Sequence, residues 1–316
     1  MASIIDHTRV PELSLKNYIE GSENDKLTFC SQLFEGIKQF GFIILKDHPI
    51  SNDLLDQAYT LSQKLFQLTD STKAHYIQKN GGQRGYTPFG TEHAKDCAFP
   101  DLKEFWHIGR NLPKGSPQKE SFPENVWPNE IENFQVTFEH LFRKLDQTGQ
   151  IILEALTPSL KIPQDFFKKF AGSGNSILRL LHYPPIPENA DPNSVRAAAH
   201  EDINLITILV AATQTGLELL DRNGNWMAVE TEKNNLIVDA GDMLSRMTND
   251  VIPSTTHRVV NPTGPNVSRY SMPFFIHPNS DASLKCLPSC IGDGEKYADI
   301  LANDFLHQRL REIGLM

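Results

Sequence analysis

The chain reads as an α+β protein in which a helical first half supports a double-sheet antiparallel β core. Three observations lead there. Apolar residues recur at helical spacing through the first half. After Gly172 the pattern changes to short runs rich in β-branched and aromatic residues, spaced about 8–12 residues apart and divided by turns. Between two of those runs, Asp221-Arg222-Asn223-Gly224-Asn225 forms a hairpin signal. This spacing suits an antiparallel sandwich or barrel better than a parallel βαβ sheet.

Taken in order, Leu27, Cys30, Leu33, Phe34 and Ile37 fall on one helical face, with Asp25 as the expected cap and Gly41 just past the end. Residues 42–45 form a short apolar strand that ends near Pro49. Ser51 opens a second helix carrying Leu54, Leu55, Leu61, Leu65 and Phe66. From Gly81 to Pro128 the chain is rich in Gly, Pro and polar residues, which predicts loops, short strands and a cover over an active site. Pro128 is read as opening a long helix through Ile131, Phe134, Phe138, Leu141, Phe142, Leu145, Ile152 and Leu156. Strands are expected at 177–183, 205–211, 217–220, 226–229, 236–238, 255–260 and 270–276. An amphipathic helix over 297–313, with Ile300, Leu301, Phe305, Leu306 and Leu310 on one side, closes the chain.

Bulk properties narrow the function. A net charge of -9 argues against a phosphate backbone as partner, because clustered Lys and Arg drive such binding. The longest apolar run, around 205–212, falls well short of the roughly 20 residues of a membrane-spanning helix. Residues 1–10 carry Asp6 and His7 and lack the apolar centre of a secretory signal, so a cytoplasmic protein is expected. Cys30, Cys97, Cys286 and Cys290 are too few and scattered for a disulfide framework, and no second ligand pair completes a zinc site around Cys286 and Cys290.

The chemistry-bearing pattern lies in the second half. His200-Glu201-Asp202 puts an imidazole and a carboxylate two residues apart, on one face if the segment is extended. Alone it says little, since 11 His and 39 acidic residues produce about one such triplet by chance. His257 follows in a later strand, and Arg269-Tyr270-Ser271 in the next, with Arg269 and Ser271 sharing a face. Two imidazoles and a carboxylate make the facial triad of non-haem iron(II) oxygenases, which leaves three coordination positions open. A guanidinium and a hydroxyl side by side suit a carboxylate ligand.

These segments carry a family resemblance. Ala199-His200-Glu201-Asp202-Ile203-Asn204-Leu205-Ile206-Thr207-Ile208-Leu209 resembles the metal-binding strand of the isopenicillin N synthase-like oxygenases, within the 2-oxoglutarate/Fe(II)-dependent dioxygenase superfamily. Gly241-Asp242-Met243-Leu244 through Val259 is similar to the strand pair that brings the second histidine, and Arg269-Tyr270-Ser271-Met272-Pro273-Phe274-Phe275 to the Arg-x-Ser strand. The N-terminal segment with Phe40-Gly41-Phe42 and the Leu181-His182-Tyr183-Pro184-Pro185 motif also fit, so the resemblance spans nearly the whole chain.

The resemblance implies a double-stranded β-helix (jelly-roll) core flanked by helices. It divides the chain into an N-terminal region (1–125), a scaffold helix and connector (126–172), the catalytic core (173–280) and a closing helix (281–316). It further implies Fe(II) on His200, Asp202 and His257, 2-oxoglutarate on Arg269, Ser271 and Tyr183, and O₂ as co-reactant. A ferryl-oxo species would then hydroxylate, desaturate or cyclise a small molecule. Arg84 and Tyr86 lie where relatives contact substrate, and Arg84 hints at a carboxylate-bearing one. Phe275 and Trp106 read as core or pocket wall, and His107, His182 and His277 as structural. An isopenicillin N synthase-type oxidase working without 2-oxoglutarate is the first alternative. The family's near-terminal glutamine has no counterpart in Gly314-Leu315-Met316, which favours the cosubstrate-using enzyme. Asp202 disfavours halogenation, for which relatives need a small residue there. A non-catalytic jelly-roll binding protein and a zinc hydrolase are the alternatives of other classes.

Overall fold

The computed structural model describes residues 9–79, 83–92, 99–112, 115–116 and 122–312. Cys97, residues 1–8 and residues 313–316, on which parts of the sequence reading fall, lie outside them.

Strand β1 (Glu12–Ser14) and helix α1 (Leu15–Ile19) lead into α2 (Glu23–Phe40). Ser22, not Asp25, caps α2. The Asp25 N–H donates to the Ser22 hydroxyl and the Asp25 carboxylate accepts from Ser22 N–H at 2.9 Å, a reciprocal pair that makes Asp25 the third helical residue. Leu27, counted on the apolar face, is 64 % exposed. Gly41 ends the helix at φ 68°, with its N–H on Ile37 O and its α-carbon against Thr255, where a side chain would have no room.

Then come β2 (Phe42–Lys46), α3 (Asn52–Phe66, capped by Ser51), α4 (Asp70–Ala74), β3 (Gly85–Thr87) and β4 (Glu104–Gly109). The long helix α5 spans Phe134–Leu160, so it starts later than Pro128. Asn133 takes a left-handed φ of 62° and Phe134 N–H bonds back to Ile131 O, which turns the chain before the helix can begin. Helix α6 (Phe166–Ala171) precedes β5 (Ile177–Tyr183), β6 (Ala197–His200), β7 (Ile206–Val210), β8 (Leu217–Leu220), β9 (Trp226–Ala228) and β10 (Leu236–Ala240). The segment after Gly241 is a helix, α7 (Asp242–Met247), where a strand was expected. After β11 (His257–Val259) and β12 (Arg269–Ile276), α8 covers Ala302–Glu312. It does not reach back to Tyr297, because Leu284 N–H bonds Ile300 O and Ser283 bridges to Leu301, holding that stretch extended.

The strands form two sheets. The larger runs β1-β2-β10-β7-β12-β5-β4-β3 and the smaller β6-β11-β8-β9; every pair is antiparallel except β1 with β2. This is the mixed α+β, jelly-roll arrangement. No helix among the described residues is long and apolar enough to cross a membrane.

Alternation along the strands decides which side of the large sheet is greasy and which is polar. Ile206, Ile208, Val210, Met272, Phe274 and Ile276 point outward into one core shared with α3 and α5. Phe142 of α5 meets Phe274 edge-on at 4.9 Å, and Gly149 lets the Ile276 side chain approach where a β-carbon would lie 1.9 Å from it. The intervening residues face the small sheet and include Thr207, Asp239, Arg179, Arg269 and Ser271, beside a second apolar cluster of Phe42, Ile44, Phe105 and Leu181. Helices seal one face, and the other is left for ligands.

Phe274 has no exposed surface. Phe274→Ala is therefore expected to lower the unfolding free energy by about 3–5 kcal/mol, measured by urea denaturation. A loss under about 1 kcal/mol would mean that α5 does not pack on this face.

Candidate active site

His200 is the last residue of β6 and His257 the first of β11, and the two are direct partners across that antiparallel pair. Their rings sit 4.5 Å apart at 52°. Asp202 lies two residues beyond the end of β6, so it joins them from a bend and not from an extended strand. The bend is fixed on both sides. Asp242 N–H donates to Asp202 O at 2.8 Å, and the Thr207 hydroxyl donates to the Asp202 carboxylate. Gly241 permits this closeness, since a β-carbon there would stand 2.2 Å from Asn204 Oδ1 and 2.7 Å from Asp202 O.

Asp202 Oδ1 is 3.9 Å from His200 Nε2 and 4.0 Å from His257 Nε2. One donor atom from each of the three residues lies within 4.8 Å of the others, the sole group of this kind among the described residues. The other nitrogen of each ring is occupied: His200 Nδ1 faces Ala198 O at 2.7 Å and His257 Nδ1 faces Thr255 O at 3.1 Å. Those carbonyls hold the proton on Nδ1 and turn the Nε2 lone pairs toward Asp202. Such a donor set suits Fe(II), and an octahedral ion held on one face would keep its remaining positions for ligands.

The electrostatics agree with a cation site. Burial, with the neighbouring His257 ring, pushes His200 down to about 4, so it is neutral near pH 7. Burial disfavours the Asp202 carboxylate, but the two imidazoles and the Thr207 hydroxyl outweigh it and hold the acid below its ordinary range. Asp239, buried beside Asp202, is pushed well above its usual value by burial and by that neighbouring charge.

At the other end of the inner face Arg269 pairs in register with Tyr183. Its guanidinium lies over the Tyr183 ring at 5.0 Å, donates from Nε to Gln214 O at 3.1 Å and from Nη1 to Ser271 Oγ at 3.4 Å. Arg269, Ser271 and Tyr183 are all 2 % exposed. Arg196, which the sequence reading passed over, is buried beside them, donates from Nη2 to Val267 O at 2.6 Å and leaves its Nε without a partner. Among the described residues neither guanidinium has a carboxylate partner, and buried cations so placed call for an anion.

Arg84 and Tyr86 are not brought to this face. Arg84 is fully buried, with Nη1 on Gln83 O and Nη2 on Asn175 Oδ1 at 2.7 Å each, and its guanidinium fills the space over Gly109. Tyr86 donates to Glu104, which also accepts from Lys73 and from His182. Where substrate contact was expected at these two positions, both side chains make framework bonds, and Arg84 Nε has no partner among the described residues. The residues missed instead are Thr207, Asp239 and Arg179. An arginine inside the apolar run Ile177-Leu178-Arg179-Leu180-Leu181 was the available signal.

Comparison with known proteins agrees with this geometry. Residues 10–130 match a family model described as the N-terminal region of the non-haem dioxygenase in morphine synthesis, and residues 174–278 match that of the 2OG-Fe(II) oxygenase superfamily. A 2-oxoglutarate-dependent dioxygenase of Monascus ruber is 32% identical over 291 residues, covering 88% of this chain and 87% of that one. A Caulobacter crescentus structure assigned to the 2OG-Fe(II) oxygenase family superposes with TM-score 0.87 at 42% identity, over 99% of this chain and 100% of that one. Neurospora crassa T7H, solved with alpha-KG and thymine, superposes with TM-score 0.86 at 30% identity, over 98% and 99%.

The site imposes a pH dependence on folding. In the metal-free chain His200 and His277 are each pushed down to about 4, chiefly by burial, against 6.5 when unfolded. At these two histidines the unfolded chain therefore binds more protons between those values, and the stability they contribute, present above pH 6.5, is lost as pH falls toward 4, whereas Asp239 and Asp242, both pushed up chiefly by burial, act in the opposite sense. Metal-free His277→Gln is expected to lose less of its urea midpoint between about pH 7.5 and 5 than wild type does; an equal or larger loss contradicts a neutral imidazole at 277 in the folded chain.

Proposed function

The chain belongs to the 2-oxoglutarate/Fe(II)-dependent dioxygenase superfamily, and from that premise we propose that His200, Asp202 and His257 hold its iron and Arg269, Ser271 and Tyr183 its cosubstrate. It is an oxidoreductase using Fe(II), 2-oxoglutarate and O₂ on a small-molecule substrate. The observation that carries the assignment is the convergence of two Nδ1-anchored imidazoles and one carboxylate from two strands and a bend. The two-electron oxidation of 2-oxoglutarate to succinate and CO₂, coupled to two-electron oxidation of the substrate, is the chemistry that bound iron supplies.

The protein's own residues do the rest. Ala198 O and Thr255 O keep both imidazoles in the tautomer that presents Nε2. The Thr207 hydroxyl, donating to Asp202, holds that carboxylate ionised and oriented. Arg269 and the Ser271 hydroxyl offer charge-assisted donors to the far carboxylate of the cosubstrate, and the Tyr183 ring covers the guanidinium from the side. Named relatives depend on 2-oxoglutarate, which favours this reading over the cosubstrate-free oxidase.

The chain divides accordingly into an N-terminal region over 1–125, a scaffold over 126–172, the oxygenase core over 173–280 and a closing helix over 281–316. Buried, unpaired Cys30, Cys286 and Cys290 favour a reducing, cytoplasmic setting. Arg84, fully buried on the framework side with Gln83 O and Asn175 Oδ1, lends no support to a carboxylate-bearing substrate.

Two variants separate the halves of the site. Asp202→Ala is expected to lose stoichiometric iron after anaerobic reconstitution, read by metal analysis; full retention of iron would overturn the triad. Arg269→Met is expected to keep its iron and raise the KM for 2-oxoglutarate by about tenfold or more, the loss expected when a charged hydrogen-bond donor is removed. An unchanged KM would remove Arg269 from the cosubstrate site.

A further inference from the structure

The inner face holds one more group of charges that the cosubstrate site does not use. Arg179 sits in the middle of β5 and faces inward with Leu181 and Tyr183. Its Nε donates to His107 Nε2 at 2.6 Å, and its Nη1 and Nη2 donate to the two Glu92 oxygens at 3.1 and 3.3 Å. Lys103 bonds the same Glu92 at 2.6 Å and Asp101 at 2.8 Å. Asp101 reaches the metal strand directly, accepting from Ala198 N–H at 2.9 Å, two residues before His200. The guanidinium lies 4.2 Å from the Phe105 ring centre and 5.3 Å from that of Phe275. Phe275 in turn pairs in register with Thr207, whose hydroxyl donates to Asp202. The group therefore adjoins the iron site, on the part of the face away from Arg269.

Three properties of this group restrict what it can bind. Among the described residues its charges are balanced, Arg179 and Lys103 against Glu92 and Asp101, with His107 Nε2 accepting from Arg179. An ionic ligand would meet no uncompensated charge among these four side chains and would lose its hydration without return. Second, a guanidinium has five N–H bonds, and three are used here, so one spare donor remains on each Nη. Third, Arg179 and Phe275 are only half-buried, while Lys103, His107 and Phe105 around them are buried. A spare guanidinium N–H beside a half-buried aromatic ring complements a flat molecule that presents a carbonyl oxygen at its rim.

We propose that Arg179, held in place by Glu92 and His107, and the Phe275 ring form the substrate seat, and that the substrate is a flat, uncharged molecule bearing a carbonyl acceptor, such as a cyclic amide. This inference rests on the iron and cosubstrate assignment above. Glu92 and His107 are positioning residues, and Arg179 and Phe275 touch the substrate.

The test uses full-length protein loaded anaerobically with Fe(II) and 2-oxoglutarate, with 2-pyridone and uracil as uncharged probes and nicotinate and orotate as their carboxylated counterparts. Binding is read from the visible absorption of the loaded site, and turnover from succinate released on admitting O₂. At least one uncharged probe is expected to perturb the absorption and raise succinate release, with the carboxylates at least about tenfold weaker, the cost of burying an unpaired charge. Arg179→Gln is expected to retain iron and 2-oxoglutarate affinity but weaken that probe by about tenfold or more. Arg179→Lys, which keeps charge but loses the fork, is expected to recover little of it. Carboxylates binding as well as the uncharged probes, no uncharged probe binding, or an Arg179→Gln affinity within about twofold of wild type would each overturn the seat. Failure of the wild-type protein to take up iron or 2-oxoglutarate would instead overturn the underlying assignment.

Discussion

The antiparallel pairing of His257 with His200 is the constraint on which the site depends. Backbone hydrogen bonding between β6 and β11 fixes the separation of two side chains from positions far apart in the chain. The same geometry lets each ring bond a carbonyl two residues earlier on its own segment, so orientation and tautomer come from the strands themselves. The third donor cannot come from the ladder. It comes from the bend after β6, held by the start of α7 and by Thr207 on the facing sheet. Both sheets must therefore be correctly stacked before the three donors meet.

Stacking in turn depends on the alternation along β7, β12 and β5. Their outward residues are almost wholly apolar and are covered by α3 and α5, which supplies the burial that holds the large sheet in place. The inward residues include charged and hydroxyl groups that would be costly to bury without partners. Most are paired: Glu92 with Lys103 and Arg179, Asp101 with Lys103, Asp202 with Thr207. Arg269 and Arg196 lack acidic partners among the described residues, as befits the place where an anionic cosubstrate would sit. The paired cluster and the unpaired guanidiniums lie at opposite ends of one surface, with the three donors close to the former. That polarity orients the chemistry.

Much of this was legible beforehand. The strand over 177–183 and the hairpin at Asp221–Asn225 follow from period-two alternation and turn chemistry, both strictly local. The donors could be singled out because an imidazole and a carboxylate two apart, a later histidine and an Arg-x-Ser strand occur in a recognisable order. Errors cluster where tertiary contacts override a local pattern. The run from Pro128 continues the phase of α5, yet Asn133 turns the chain first. Residues 297–301 look helical but are drawn out by backbone bonds to 283–284. Short elements such as β1, α4 and α6 hold too few residues to show a period.

The amino-acid sequence by itself determined the class of fold and the approximate course of its later strands, and it singled out His200, Asp202 and His257 as candidate donors, because residue type and order along the chain carry that much. Only the tertiary structure decided that Asp202 approaches from a bend, that Arg84 and Tyr86 belong to the framework, and that Arg179 stands beside the metal cluster. Which polar side chains finish on the inner face, and which are consumed by neighbours, depends on the stacking of two sheets and the register of eight strands. Spacing along one chain cannot encode that, since the partners come from segments separated by tens of residues.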